Sequence, residues 1–380
     1  MDFDDTPDEA AWRASVRTFL SQHRAVDDPR AWQATLYEAG FVGVAWPVAA
    51  GGRGGTPMQQ AIVDQEMAKL GLPALINLIG IGMCGPTVMM HGSDDQRERY
   101  LKRLLRADDL WCQLFSEPAA GSDLAGLRTR AVRDDGGWRI NGQKVWTTLA
   151  HLADYGILLT RTDPAVPKHR GLTMFVVDMK APGVTVRPLK QMNGDAHFNE
   201  VFFDDVLVPD TERLGEPGEG WRVALTTLMS ERLSLGGGGT SIGPKPEAVA
   251  RHVAEHIGAL PADRQVLARQ ELGRGYVAAL GARYTGYRQL SKLSRGELPG
   301  PEASAGKLSG TRSARDLTDL AVRVLGGDAR VGDNIWQNMQ AVLPGMAIAG
   351  GSDQVLRNII GERVLGLPAE PRVDKGVDWR

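Results

Sequence analysis

The sequence predicts an α+β protein whose helices and strands are segregated along the chain: helical first, then β, then helical again. Three observations predict it. Apolar residues recur at spacings of three and four over residues 1–110, short β-branched and aromatic runs broken by turn residues fill 111–215, and the helical spacing returns over 216–380.

In the first part, Ala10 to Leu20 places Trp12, Val16, Phe19 and Leu20 on one face, and Trp32 to Ala39 and Gln59 to Leu70 repeat the pattern. The loop Gly51 to Gly55 interrupts it. No buried strand leads into that loop, so it makes a poor phosphate cradle. Gly71 to Met90 carries no charge over about the length of a bilayer span. Pro73, Asn77, Pro86 and four glycines within it favour a helix buried in an all-α layer instead. A basic segment runs from Gln96 to Arg106.

In the middle part, Asn141-Gly142 between apolar residues is a strong hairpin signal, and Asp134 to Gly137 is a second turn. Tyr155 to Arg161, Leu172 to Met179, Val184 to Leu189 and Asn199 to Phe203 read as strands of a compact sandwich or barrel. In the last part, Val223, Leu225, Leu228 and Met229 begin one helix. Leu267 to Arg295 form another, and Leu317 to Leu325 a third. The final helix starts at Ser352-Asp353, aligns Val355, Leu356, Ile359, Ile360 and Val364, and stops at Gly366 and Pro368.

Composition narrows the function. Lys plus Arg number 44 and Asp plus Glu 46, a net charge of −2, which removes the electrostatic basis for non-specific nucleic-acid binding. Apolar residues at 42% and charged residues at 24% suit a soluble globular chain with a sizeable core. Cys84 and Cys112 form no CxxC pair, which argues against a disulfide scaffold, a zinc finger or an iron–sulfur cluster. The acidic start MDFDDTPDEA lacks the basic and apolar regions of a signal peptide, so an unexported, cytoplasmic protein with no membrane partner is expected.

Three local matches imply other enzymes. His252-Val-Ala-Glu255-His256 fits the HxxEH zinc pattern, but it is short, polar and ends at Gly258, so a solvated helix end is expected and no metal. Gly239-Thr-Ser241-Ile-Gly243 fits GxSxG without the strand that a nucleophile elbow needs. Gly300 to Leu308 resembles a P-loop with one residue too many between its glycines and leucine at the magnesium position.

The segment Gln113-Leu-Phe115-Ser116-Glu117-Pro118-Ala-Ala-Gly121-Ser122-Asp123, placed where helix gives way to strand, resembles the flavin loop of the acyl-CoA dehydrogenase family. Asn141 to Thr148 (NGQKVWTT), Phe202 to Pro209 (FFDDVLVP), Glu231-Arg232 and Arg357 to Pro368 match further family segments in order. The resemblance implies an N-terminal helical domain (1–110), a β-barrel-like domain (111–215) and a C-terminal four-helix bundle (216–380), with FAD as cofactor. It implies α,β-dehydrogenation of an acyl-CoA, with electron-transfer flavoprotein as acceptor. A homodimer or homotetramer is expected, or a hetero-oligomer in which this chain is a non-catalytic or half-site partner. An oxidase on the same fold stays open.

Carried over position by position, the resemblance assigns Gln113, Phe115, Ser116, Trp146 and Thr148 to the flavin ring, and Ser352 and Gln354 to its phosphate and adenosine side. Gly121 and Ser122 serve the phosphate side or the thioester, and Arg232 and Gly350 the substrate. Gly350 stands where the catalytic glutamate often falls and cannot accept a proton. A subset of the family carries that glutamate on the first helix of the last domain, which makes Glu231 the expected base. Two departures touch the adenine half: Ala254 replaces an arginine, and Arg323 a glutamine, leaving Arg323 or Arg251 to supply charge. Gly236 to Gly239 should loosen or end the helix that bears Glu231. In the family that helix borders the acyl cavity, so the missing side chains there would either admit a bulky acyl group or mark a plain helix break.

Overall fold

The computed structural model describes residues 4–23, 27–236, 243–297, 300–326 and 334–371, with the side chains of 232–236 excepted. They form two compact units. One holds the chain up to Gln191 together with Asp195–Glu231, the other Met192–Gly194 and Arg232–Pro371.

The first unit opens with five α-helices: α1 (Pro7–Gln22), α2 (Pro29–Glu38), α3 (Pro57–Lys69), α4 (Gly85–His91) and α5 (Asp94–Arg106). Reciprocal capping boxes start three of them, Thr6 with Glu9, Thr56 with Gln59 and Ser93 with Gln96, and proline opens α1, α2 and α3. Helices therefore begin slightly earlier than their apolar spacing predicts. Trp12, Val16 and Leu20 are buried as expected, with Trp32, Leu36 and Ile62.

The uncharged stretch 71–90 is buried at key points but is not one helix. Gly80–Cys84 makes a π turn that runs into α4. Ahead of it, buried Asn77 donates to the Leu104 and Asp109 carbonyls and accepts from Trp111 N. An asparagine serving three backbone groups fixes irregular chain where helix hydrogen bonds are missing. Among the described residues no helix is long and apolar enough to cross a membrane.

Eight strands follow: β1 (Trp111–Leu114), β2 (Arg130–Asp134), β3 (Gly137–Thr148), β4 (Tyr155–Arg161), β5 (Leu172–Asp178), β6 (Val184–Leu189), β7 (Phe198–Pro209) and β8 (Arg213–Leu214). They form one sheet in the order β6-β7-β3-β2-β4-β5-β8, with β1 parallel to β4. The hairpin expected at Asn141-Gly142 is not there. Both residues run through the middle of β3, where the pairing with β7 slips between Ile140 and Gly142. The long β7 partner sets this register, and the Asn141 side chain accepts from Asp205 N at 2.9 Å. The chain reverses at Asp134–Gly137, the other predicted turn.

Helix α6 (Gly220–Gly236) carries Val223, Ala224 and Thr227 inward, whereas Leu225 and Met229 face solvent. The second unit contains α7 (Pro246–His256), α8 (Ala262–Ser294), α9 (Ala303–Leu325), α10 (Ile335–Met346) and α11 (Asp353–Arg363). Helix α9 touches the other four, and Leu317, Leu320, Ala321 and Val324 on it join Val249, Val253 and Trp336 in the core. Of the apolar face expected on α11, Leu356 alone is fully buried, and Val364 is exposed.

Candidate active site

Strand β1 delivers Gln113 half-buried and Phe115 buried, with Ser116 half-buried just beyond. Val145 N donates to Ser116 O at 2.9 Å, which sews this segment to β3. There β3 bulges: its pairing with β7 slips between Lys144 and Thr147, and Trp146 takes a left-handed backbone, φ +61°. Bulges re-aim side chains. Here Thr147 turns inward and Trp146 outward, 61% exposed and edge-on to Phe198 at 6.2 Å. Tryptophan in a strand is usually core; this one stands exposed on the bulge. Thr148, half-buried, follows it.

Beneath lies an enclosed ion pair. The Lys144 ammonium, 0% exposed, donates to Phe115 O at 3.0 Å and to Glu117 Oε1 at 2.9 Å. The Glu117 carboxylate also accepts from Arg128 N at 2.7 Å and Thr129 N at 2.8 Å. Burial would raise the Glu117 pKa, but the Lys144 charge and these donors outweigh it and hold the carboxyl below its ordinary value. Burial draws the Lys144 ammonium down against the pull of Glu117. Gly121 and Ser122 sit exposed on the loop between, and Lys168 pairs with Asp123 next to them.

Glu231, half-buried, continues the stripe of Val223 and Thr227 on α6 at four-residue intervals. The buried Thr227 hydroxyl meets that of Thr87 on α4 at 2.8 Å, and Thr226 meets His91 Nε2 at the same distance. The Arg232 side chain and the GxSxG segment through residue 242 lie outside the described residues, as do Gly237 to Gly239; α6 itself runs to Gly236.

In the second unit the loop before α11 turns on two left-handed glycines, Gly350 (φ +66°) and Gly351 (φ +91°). Ser352 caps α11 by accepting from Val355 N at 3.3 Å, as its sequence position predicts, and Gln354 is exposed. The Lys307 ammonium, 1% exposed, donates to Gly351 O at 3.0 Å and lies 3.4 Å from Asp353. Lys307 is thus inside α9, and the P-loop-like segment from Gly306 on is helix rather than loop.

Arg323 already pairs with Glu271 inside the unit. The HxxEH segment is less solvated than expected, because the His252 ring packs 4.8 Å from that of Trp336. His256 Nδ1 lies 2.9 Å from His252 O, and the ligand atoms of His252, Glu255 and His256 lie within 4.8 Å of one another.

Sequence reasoning named the loop residues but gave Glu117, Lys144 and Lys307 no role. Each is a charged residue inside one of the motifs named above; only the pairing of distant segments reveals what it grips.

Three family profiles match in order: the acyl-CoA dehydrogenase N-terminal domain at residues 6–108, the middle domain at 112–206 and the C-terminal domain at 218–365. This chain belongs to the acyl-CoA dehydrogenase family. It is accordingly an FAD-binding oxidoreductase that acts on acyl-CoA. Acyl-CoA dehydrogenase FadE34 of Mycobacterium tuberculosis is 39% identical over 367 residues, covering 96% of this chain and 50% of that protein. Acyl-CoA dehydrogenase IpdE1 of the same organism is 37% identical, with 92% and 91% covered. The chain thus spans half the length of one of these relatives and most of the other. Among solved structures, the Tcur3481-Tcur3483 steroid ACAD matches with TM-score 0.84 at 28% identity, covering 97% of this chain and 100% of that one. The ChsE4-ChsE5 complex from Mycobacterium tuberculosis matches with TM-score 0.83 at 30%, covering 97% and 100%.

The residues of the first unit fit a flavin. An exposed indole face, the hydroxyls of Ser116 and Thr148 and the Gln113 amide suit a planar ring with a polar edge.

Proposed function

We propose that this chain catalyses α,β-dehydrogenation of an acyl-CoA thioester with Glu231 as the base. The observation that carries the reading is the complementary character of two positions. Position 350 is a left-handed glycine with no side chain, while α6 bears a half-buried carboxylate at 231 in line with buried Thr227. The α-proton of a thioester is far too weak an acid for a carboxylate in water. The base must be partly desolvated and the enolate oxygen must meet hydrogen-bond donors. Glu231 takes that proton on a carboxylate oxygen, and the Gly350 amide donates to the thioester oxygen. When bound, FAD supplies the acceptor for the hydride leaving the β-carbon. Gln113, Phe115, Ser116, Trp146 and Thr148 hold the ring, and Ser352 and Gln354 the phosphate and adenosine side. Gly121, Ser122 and Arg232 border the thioester and its carrier.

We extend the proposal to a ring-bearing acyl group, on the strength of the solved steroid relative. An electron-transfer flavoprotein would be the partner that takes up the reducing equivalents. A second reading, that this chain works only beside a partner of the same fold, is favoured by Ala254, exposed on α7 where the family segment has arginine, and by the engagement of Arg323 with Glu271. Anaerobic bleaching of the flavin by a panel of linear, branched and steroid acyl-CoAs tests both. Glu231→Gln is expected to slow bleaching by about 10²–10⁴-fold. Bleaching at the unmodified rate would remove Glu231 from the mechanism, and a colourless protein that gains flavin only with a partner would favour the second reading.

A further inference from the structure

We propose that Lys144 is a positioning residue for the cofactor, and that its ion pair with Glu117 holds the segment Phe115–Thr129 in the shape that receives the flavin ring. The inference rests on the reading of Phe115, Ser116 and Trp146 as flavin contacts.

The geometry is that of a clasp. Glu117 opens an excursion of the chain that carries Gly121 and Ser122, and its carboxylate accepts the amides of Arg128 and Thr129, where the excursion ends. One side chain therefore closes its own loop at both ends. Lys144 then fastens that closed loop to β3 by two bonds, one to the Glu117 carboxylate and one to the Phe115 carbonyl. Two residues further along β3 stands Trp146, whose left-handed backbone sits in the same bulge. A single ammonium thus ties both flavin-facing segments to one another.

The pair is enclosed, with side chains 0% and 7% exposed. Removing one member of such a pair leaves the other charge without its answer in a place water does not reach, and the loop must move to hydrate it. A loop that holds its receptive shape only part of the time weakens apparent affinity by that fraction; occupancy of about one tenth raises the dissociation constant about tenfold.

The test compares FAD binding to apoprotein of the unmodified chain with that of Lys144→Met, Glu117→Gln and Glu117→Asp. Flavin fluorescence gives affinity, and visible circular dichroism reports the setting of the bound ring. Glu66→Gln, a change at an equally buried carboxylate in the N-terminal helices, serves as control. Lys144→Met is expected to raise the FAD dissociation constant about tenfold or more and to alter the visible dichroism, with Glu117→Gln moving both in the same direction. Glu66→Gln should lower the melting temperature and leave both readouts unchanged. Unmodified affinity and dichroism in Lys144→Met would overturn the proposal. If that variant does not accumulate folded, Glu117→Asp decides on the same readouts, since it keeps the charge and shortens the reach. Trp146→Ala separates the clasp from the reading beneath it. Were it to leave affinity and dichroism untouched, the flavin assignment itself would fall. Were Trp146→Ala to change them while Lys144→Met did not, the clasp alone would fall.

Discussion

Replacing Gly142 by alanine tests whether β3 is built around a close approach to Thr129, the residue just ahead of β2. An added Cβ would stand 2.5 Å from Thr129 Oγ1 and 2.7 Å from Thr129 Cα, and Gly142 has φ +155°, outside the range side chains favour. Thr129 cannot easily give way. Its amide serves Glu117 at 2.8 Å and its carbonyl accepts from Arg161 N at 2.7 Å. Overpacking costs about 1–3 kcal/mol and the backbone conformation about 1–3 more. Lower freedom of the unfolded chain returns about 0.4–1. A net loss of about 1–5 kcal/mol corresponds, at about 2–4 °C per kcal/mol, to a fall of roughly 2–20 °C in melting temperature for a unit of this size. Differential scanning calorimetry of Gly142→Ala beside Gly136→Ala provides the measurement. Gly136 shares a positive φ (+87°) but has nothing within 4 Å, so it isolates the backbone term. If the two variants melt together, the close approach contributes nothing and the reasoning is wrong.

Glu66 is a hub for Arg13, Arg17 and Lys69. Burial would raise its carboxyl, but those donors outweigh it and hold it at about 2, against an ordinary 4.5. Because its folded pKa is depressed, the stabilisation is complete above about pH 4.5 and is lost as pH falls toward 2. Arg17 and Lys69 are more than half exposed, so we expect about 1–2 kcal/mol. Urea midpoints should show Glu66→Gln weaker than the unmodified chain at pH 7, with the gap closing as pH falls from about 4.5 toward 2; a constant gap would contradict the assignment. Lys307→Met removes the donor to Gly351 O and should destabilise the second unit by about 1–3 kcal/mol. It should also raise KM for acyl-CoA more than it lowers kcat, whereas unchanged steady-state constants would detach this grip from the substrate.

The order of helical and β parts was legible because apolar periodicity differs between them, and helix ends were legible wherever a cap stood at the boundary. The Ser352 cap is legible for that reason, while the caps at Thr6, Thr56 and Ser93 stand ahead of the first apolar residue of their helices, so apolar spacing alone makes those helices slightly short. Asn141-Gly142 misled because a dipeptide signals local turn preference, whereas strand register is decided by a partner some sixty residues away, Val206 and Phe203 against Ile140 and Gly142. The flavin loop could be recognised from its residues. Its support could not, because Lys144 and Glu117 meet only once β3 is laid beside the end of β1.

Lys144 and Lys307 share one circumstance: each is enclosed by protein and each spends its protons on a backbone carbonyl. A lysine amine is a nucleophile, and an activated thioester is an electrophile that acylates amines it can touch. Burial makes the lone pair of Lys144 cheaper to expose chemically, so its safety from the substrate depends on being out of reach rather than on charge alone. In a protein that acts on acyl-CoA, both amines are closed off from solvent while they hold the loops that bear Ser116 and Gly350.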